Sequence, residues 1–244
     1  MRYAIISDIH SNLESLIAVL GKLSSHHVDS LFCLGDIVGY NANPNECVDI
    51  VRKEGIRCVL GNHDACACGL EEPDTFSAAA RESVLWTREQ LTESNRDLLR
   101  TLPREIAENN FLMFHGSIHD IHRYIITLHD AEKNIRMMSG LSSQPRIGFF
   151  GHTHAPVAFS YSLGKISLEQ GEDLSLADAK TYLVNPGSVG QPRDRNPRAG
   201  FIVYDTEEKR VVFYRVEYDV KTCQEKVRAA GLPAMLADRL EKGW

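Results

Sequence analysis

Arg2-Tyr3-Ala4-Ile5-Ile6-Ser7-Asp8-Ile9-His10 is an apolar run of strand length that ends on two metal-type side chains. The same arrangement returns four times along the chain. Leu31–Leu34 leads to Asp36, Cys58–Leu60 to Asn62 and His63, Phe111–Phe114 to His115, and Ile147–Phe150 to His152 and His154. Short apolar runs bounded by turn residues read as buried strands. In open α/β sheets ligands gather at the carboxyl ends of strands, where the backbone turns and side chains face a crevice. One such strand end would mean little. Five of them, bearing Asp, His and Asn with Gly or a polar residue at the turn, describe a metal site.

The segments between these runs have helical periodicity. Leu13, Leu16, Ile17 and Leu20 repeat at helical spacing, so a helix packs back on the sheet. Asn43, Pro44 and Glu46 read as an N-cap, an N1 proline and a capping box for a second helix, which Gly55 ends before strand Arg57–Leu60. Strand and helix in alternation imply a parallel sheet with right-handed crossovers. Residues from about 65 to 104 break the rhythm: Asp74 can cap a helix through about Gln90, and Thr92 with Asn95 and Asp97 opens a shorter one ending before Pro103. This strand-free segment reads as a helical insertion, either a packing excursion or a lid at the strand ends. After Phe111–Phe114 and a helix near 130–139 the pattern turns antiparallel, with strands at Val157–Tyr161, Lys165–Leu168, Thr181–Val184, Phe201–Tyr204 and Arg210–Val216. Asp219 then caps a terminal helix and Pro233 starts another. The expected fold is one α/β (α+β) domain over 1–244, a four-layer α/β/β/α sandwich of two facing mixed sheets flanked by helices. The insertion falls at about 65–104 and the C-terminal helices at about 219–242.

Composition narrows the classes. The chain has 244 residues, 43% hydrophobic and 25% charged, an ordinary globular balance that speaks against disorder and coiled coil. A net charge of −6 gives no basic face for a long nucleic acid, although bound cations can still attract short nucleotides. No apolar stretch approaches a membrane span, and the first candidate ligand follows Met1 too closely for a cleavable leader. The cysteines at 33, 47, 58, 66, 68 and 223 form no C-x-x-C pair and read as reduced, small hydrophobes. Cys66 and Cys68 lie just past the site, at a spacing that thiolate metal sites do not favour. The expectation is a cytoplasmic protein with no long nucleic acid and no membrane as partner. Homo-oligomerisation is left open.

The donors Asp8, His10, Asp36, Asn62, His115, His152 and His154 are oxygens and imidazoles without thiolate. That set suits Mn, Fe, Zn, Ni or Co rather than a calcium cage or a cysteine–zinc knot. Seven ligands exceed one ion but suit two divalent metal ions sharing a carboxylate, and Asp36 at the end of a central strand is the natural bridge. His152 and His154, set between Gly151 and Pro156, belong on a turn where each can face a different ion. Two ions about 3.5–4 Å apart clamp the attacking and leaving oxygens of a displacement at phosphorus and lower the pKa of a bridging water. The leaving oxygen then needs an acid. His63 is placed for it, with Asp64 either orienting its ring or capping the next segment. Arg193, beside Asp194 and Arg195, could grip a phosphate oxygen. Asn12 and Asn185 are turn formers or phosphate contacts, and Tyr40 either stacks on a base or packs. His26, His27 and His129 read as ordinary surface or core residues, with His119 and His122 kept near the site.

Asp8-Ile9-His10, Gly35-Asp36, Gly61-Asn62-His63-Asp64, His115-Gly116 and Gly151-His152-Thr153-His154 resemble, in order and spacing, the motif set of the calcineurin-like metallophosphoesterases. Asn185-Pro186-Gly187-Ser188-Val189-Gly190-Gln191-Pro192-Arg193 is similar to a segment of the bacterial and archaeal phosphodiesterase branch, whose members are often described as diadenosine tetraphosphatase-like. The resemblance implies that Asp8, His10, Asp36 and His154 hold one ion. Asp36, Asn62, His115 and His152 would hold the other, and His63 would be the acid. It implies hydrolysis of phosphate mono- or diesters, or dinucleoside polyphosphates, by a hydroxide bridging the ions. A serine/threonine protein phosphatase, a nuclease and a non-catalytic metal-binding scaffold are the alternatives. Ile118 stands where the pattern expects proline, which affects loop shape, and the insertion leaves substrate preference open.

Overall fold

β1 (Arg2–Ile6) shows how the apolar runs build the molecule. Tyr3 and Ile5 point to one side of the strand and Ala4 and Ile6 to the other, and all four are buried. A strand covered on both faces needs no polar alternation, which is why the run is continuous. In the computed structural model, which describes residues 1–244, this strand is followed by α1 (Leu13–Leu23), β2 (Ser30–Cys33), α2 (Pro44–Lys53) and β3 (Arg57–Cys58). Next come α3 (Asn62–Ala67), α4 (Ala78–Gln90), α5 (Glu93–Arg100), β4 (Glu105–Glu108), β5 (Phe111–Phe114), α6 (Leu128–Gly140) and β6 (Ile147–Phe150). The chain ends with β7 (Val157–Ser162), β8 (Lys165–Glu169), β9 (Asp173–Ser175), β10 (Thr181–Asn185), β11 (Ala199–Asp205), β12 (Arg210–Val216), α7 (Val220–Ala229) and α8 (Ala234–Asp238).

Two six-stranded sheets result, ordered β3-β2-β1-β11-β12-β9 and β4-β5-β6-β10-β7-β8. Each is mixed: β1 pairs parallel with β2 and antiparallel with β11, while β6 lies parallel to both β5 and β10. Tyr3, Ile5, Phe32, Phe111, Phe149 and Val184 meet between the sheets. Leu16, Val19, Val48 and Val51 cover the outside of the first sheet, and Ile135 and Met138 the outside of the second. The four-layer sandwich is therefore present. No helix is long and apolar enough to cross a membrane.

Local signals fared unevenly. Asn12 caps α1, its side chain accepting from Ser15 N at 3.1 Å, and Thr92 and Asp219 cap α5 and α7 as expected. Asp74 is not the cap of α4; Ser77 is, three residues later. Ile17 is 55% exposed, because the buried face of α1 runs through Leu16, Val19 and Leu23 and residue 17 falls off that stripe. Asn43 makes no cap bond to the backbone and instead donates to Glu46 Oε1 at 3.0 Å. β4 and β9 are additional short edge strands with no strong apolar run of their own.

Candidate metal centre and active-site cavity

The apolar runs deliver their polar ends to one place. Asp8, His10 and Asp36 follow β1 and β2, His115 follows β5, His152 and His154 follow β6, and Asn62 opens α3. Five of these residues have left-handed backbones: φ is 54° at Asp8, 48° at His10, 55° at Asp36, 67° at His152 and 59° at His154. Non-glycine residues in that region are uncommon and strained, and such strain collects at functional sites. Surrounding backbone holds it here. Val189 N donates to Ser7 O, while Ser188 Oγ and Gly190 N donate to Asp8 O at 2.8 and 2.9 Å. Asn185 Nδ2 donates to Gly151 O at 2.7 Å, behind the His152 turn. The Asn185–Gly190 segment thus buttresses two ligand turns.

Hydrogen bonds fix the imidazoles. His10 Nδ1 donates to Val38 O at 3.0 Å, His154 Nδ1 to Gln191 O at 2.7 Å, His115 Nδ1 to Leu34 O at 2.7 Å, and His152 Nε2 to His122 O at 3.0 Å. A carbonyl only accepts, so in the neutral rings the other nitrogen turns a lone pair inward. His10 Nε2 and His154 Nε2 then face each other at 3.0 Å, an arrangement that is repulsive without a cation between them. Asp36 Oδ1 accepts from His63 N at 2.8 Å, whereas buried Oδ2 has no hydrogen-bond donor and lies 3.5 Å from His10 Nε2 and 3.3 Å from His115 Nε2. Two donor groups share Asp36: Asp8, His10, Asp36 and His154, and Asp36, His115 and His152. Asn62 Oδ1, 3.0 Å from His115 Nε2, extends the second. Unpaired carboxylate and imidazole lone pairs in a buried cluster fit two divalent cations.

Charge in the cluster is tightly balanced. Burial disfavours a charged His115, but the carboxylates of Asp36 and Asp8 outweigh it and push the ring up to about 9. Burial pushes His152 down to about 3, and pushes Asp8 up to about 7. A metal ligand must be neutral imidazole. Between pH 7 and 9 the chelated protein therefore carries a proton on His115 that a cation displaces, and metal affinity rises with pH until about 9, then levels off. Titrating Mn into chelated protein at pH 8, in two buffers of different ionisation enthalpy, should show release of nearly one proton per chain. An enthalpy independent of buffer would refute that picture.

His63 stands on α3 at the wall of a cavity of about 420 Å³ that also contains Asp36, Asn62, His152, His154 and Arg193. Its Nδ1 is buried without a partner, and a side chain on Gly39 (φ +97°) would come within 2.5 Å of it. Gly61 is needed for clearance too, since a Cβ there would fall 2.0 Å from Asp36 Oδ1. Asp64 is placed otherwise than on the His63 ring. Its carboxylate accepts from Val38 N at 3.1 Å and Gly61 N at 3.2 Å, so it is the cap that locks α3 against the Asp36 turn.

The remaining sequence candidates divide. Arg193 lines the cavity and donates to Tyr40 OH at 3.2 Å. Tyr40 lines the same cavity and is mostly buried, packed against His10 and His63 with the Arg193 guanidinium over its ring. Asn12 is fully buried, spent on the α1 cap and on Gly190 O, away from any substrate. Arg195 is exposed. His119 is paired with Glu105, and His122 with Glu71 at 2.6 Å on the cavity rim. Cys66 and Cys68 are buried, and burial pushes the Cys66 thiol up to about 12, which removes any thiolate role.

Sequence reasoning missed Phe76, Tyr124 and Arg239. All three line the cavity: Phe76 lies 4.7 Å from the His63 ring and Tyr124 stacks on His152 at 4.0 Å. Residues 75–77 and Ala80 bring the insertion to the mouth of the site. A cleft of about 590 Å³ opens at the opposite end of the sandwich, but its Lys180 and Lys209 are spent on Glu169 and Asp178.

A buried Asp/His/Asn centre at the carboxyl ends of a four-layer sandwich's strands defines a metal-dependent hydrolase of the metallophosphoesterase class. Residues 1–209 match the calcineurin-like phosphoesterase superfamily domain. The chain belongs to that family, and is a hydrolytic phosphoesterase. It is 38% identical to an uncharacterised protein of Methanocaldococcus jannaschii over 98% of this chain and 97% of that one. A crystal structure of a metallophosphoesterase from Sphaerobacter thermophilus superposes with a TM-score of 0.85 at 36% identity, covering 100% of this chain and 99% of that chain. A symmetrical bis(5'-nucleosyl)-tetraphosphatase of Neisseria meningitidis is 32% identical over 48% of this chain and 44% of its own length.

Proposed function

We propose that this chain hydrolyses small phosphate mono- or diesters or dinucleoside polyphosphates at a centre of two divalent ions that share Asp36. The single observation that carries the reading is the inward-facing set of lone pairs on His10, His154 and Asp36, with His115 Nε2 3.3 Å from Asp36 Oδ2, beside a cavity of about 420 Å³. Asp8, His10, Asp36 and His154 would hold one ion, and Asp36, Asn62, His115 and His152 the other. When bound, such ions supply an activated water as nucleophile and neutralise charge developing at phosphorus.

The rest falls to side chains. Arg193 orients the phosphoryl group by charge-assisted hydrogen bonds from its guanidinium. His63 carries the proton that the leaving oxygen takes. Burial, against the pull of Asp36 and with the help of Arg193 and His115, pushes its ring down to about 4. An arriving phosphate adds negative charge beside the ring and favours its charged form. Tyr124 and Phe76 give the cavity aromatic walls.

The substrate class is tested by a panel assayed with Mn: bis-p-nitrophenyl phosphate, p-nitrophenyl phosphate, diadenosine tetraphosphate, a phosphoserine peptide and single-stranded DNA. Turnover of the small esters or the dinucleotide at least tenfold above the peptide and DNA is expected. A preference for peptide or DNA would overturn the assignment.

A further inference from the structure

Two guanidinium groups share one acceptor at the cavity wall. Arg193 Nη2 donates to Gln191 Oε1 at 2.9 Å, and Arg239 Nη1 donates to the same oxygen at 3.2 Å. Neither arginine makes an ion pair, and Arg193 Nε is buried without any partner. Both are only part-buried as residues and both line the cavity that holds Asp36, His63 and His154. Most other arginines of this chain are matched with carboxylates, as Arg88 is with Glu72 and Arg215 with Asp194. Here two like charges converge on a neutral amide, which an anion would relieve. Arg193 is tied to the ligand turn, its N donating to His154 O at 3.2 Å. Arg239 arrives from the other direction, at the end of α8, beyond the residues 1–209 that the family shares.

We propose that Arg239 is a specificity-determining residue which, with Arg193, clamps a second phosphoryl group of the substrate, so that the site favours esters of a polyphosphate chain over those of a single phosphate. The inference rests on the phosphoesterase reading above and sharpens its substrate class. Arg193 holds the phosphoryl group at the reacting centre and Arg239 the next one along the chain. Guanidinium is suited to this, because its fork matches two oxygens of a phosphate and keeps its charge at every working pH.

The test uses the full chain loaded with Mn, free Mn being held in excess over every phosphate. For wild type, Arg239→Gln and Arg239→Lys, kcat and KM are measured on diadenosine tetraphosphate and on bis-p-nitrophenyl phosphate. Loss of one charged contact to phosphate corresponds to about 10–100-fold. Arg239→Gln should lose at least tenfold more kcat/KM on diadenosine tetraphosphate than on bis-p-nitrophenyl phosphate, chiefly through KM, with partial recovery in Arg239→Lys. Equal losses on both substrates overturn the clamp. A calorimetric arm is independent of turnover: the same proteins bind a non-hydrolysable methylene analogue of a nucleoside triphosphate or inorganic phosphate. Preference for the triphosphate that vanishes in Arg239→Gln supports the clamp, and preference that survives overturns it. Wild type that hydrolyses neither ester, yet shows the Arg239-dependent preference, would sink the hydrolase assignment and leave the clamp standing.

Discussion

His63→Ala should lower kcat by about 10²–10⁴-fold while leaving metal content intact, the range that removing a general acid produces. The split is expected because the His63 side chain does not belong to either donor group, whereas its backbone N–H holds Asp36 Oδ1 at 2.8 Å. Removing the ring keeps that N–H in place. A second readout separates acid chemistry from packing. Wild-type kcat should fall on the alkaline side as His63 in the complex loses its proton, and His63→Ala should lack that limb. Bis-p-nitrophenyl phosphate has a good leaving group that needs less protonation, so the deficit should be larger on an alkyl phosphodiester. Equal deficits on both esters, or loss of metal with the ring, would show His63 to be a packing or ligand residue instead.

Asp36→Asn is expected to have the largest effect on the centre itself. Asp36 is fully buried and is the one residue common to both donor groups, its Oδ2 lying 3.5 Å from His10 Nε2 and 3.3 Å from His115 Nε2. An amide of the same shape removes the carboxylate that lies within 3.5 Å of both His10 Nε2 and His115 Nε2 and places either a weak acceptor or an N–H donor between those nitrogens. Both sites weaken together. The chelated protein changes as well, since Asp36 is the main influence holding His115 up near 9 against the opposing effect of burial. A ligand at about 100 times its Kd stabilises a fold by about 2.7 kcal/mol, so Mn should raise the wild-type Tm by several degrees and leave Asp36→Asn almost unmoved. Turnover should drop more than about 10⁴-fold, beyond what loss of one acid gives. Retention of two Mn per chain by Asp36→Asn would contradict a shared carboxylate.

The ligand turns were legible because their chemistry is local: each strand is a buried apolar run, and the residue that follows is of a type rarely buried without a partner. The sandwich followed from the switch between helical and alternating periodicity near residue 140. What could not be read depends on approach from a distance. Arg239 is about 200 positions from Asp36 in the sequence and reaches the cavity only because α7 and α8 fold back beside Tyr40 and Ala80. Tyr124 follows no strand, and its position comes from stacking on His152. Phe76 belongs to a segment whose sequence fits a packing excursion equally well. Asp64 and Asn12 misled for a different reason. A carboxylate or amide beside a ligand can serve the site or cap a helix, and here both cap. Tyr40 lies next to the bridge and lines the cavity, packed against His10, His63 and Arg193.

The central claim, two ions sharing Asp36, is tested most directly by anomalous diffraction from a Mn-soaked crystal, recorded on both sides of the Mn absorption edge. Two peaks about 3.5–4 Å apart are expected, with Asp36 Oδ2 between them, one against His10 and His154 and the other against Asn62, His115 and His152. A single peak, or peaks that leave Asp36 outside the coordination, would contradict it.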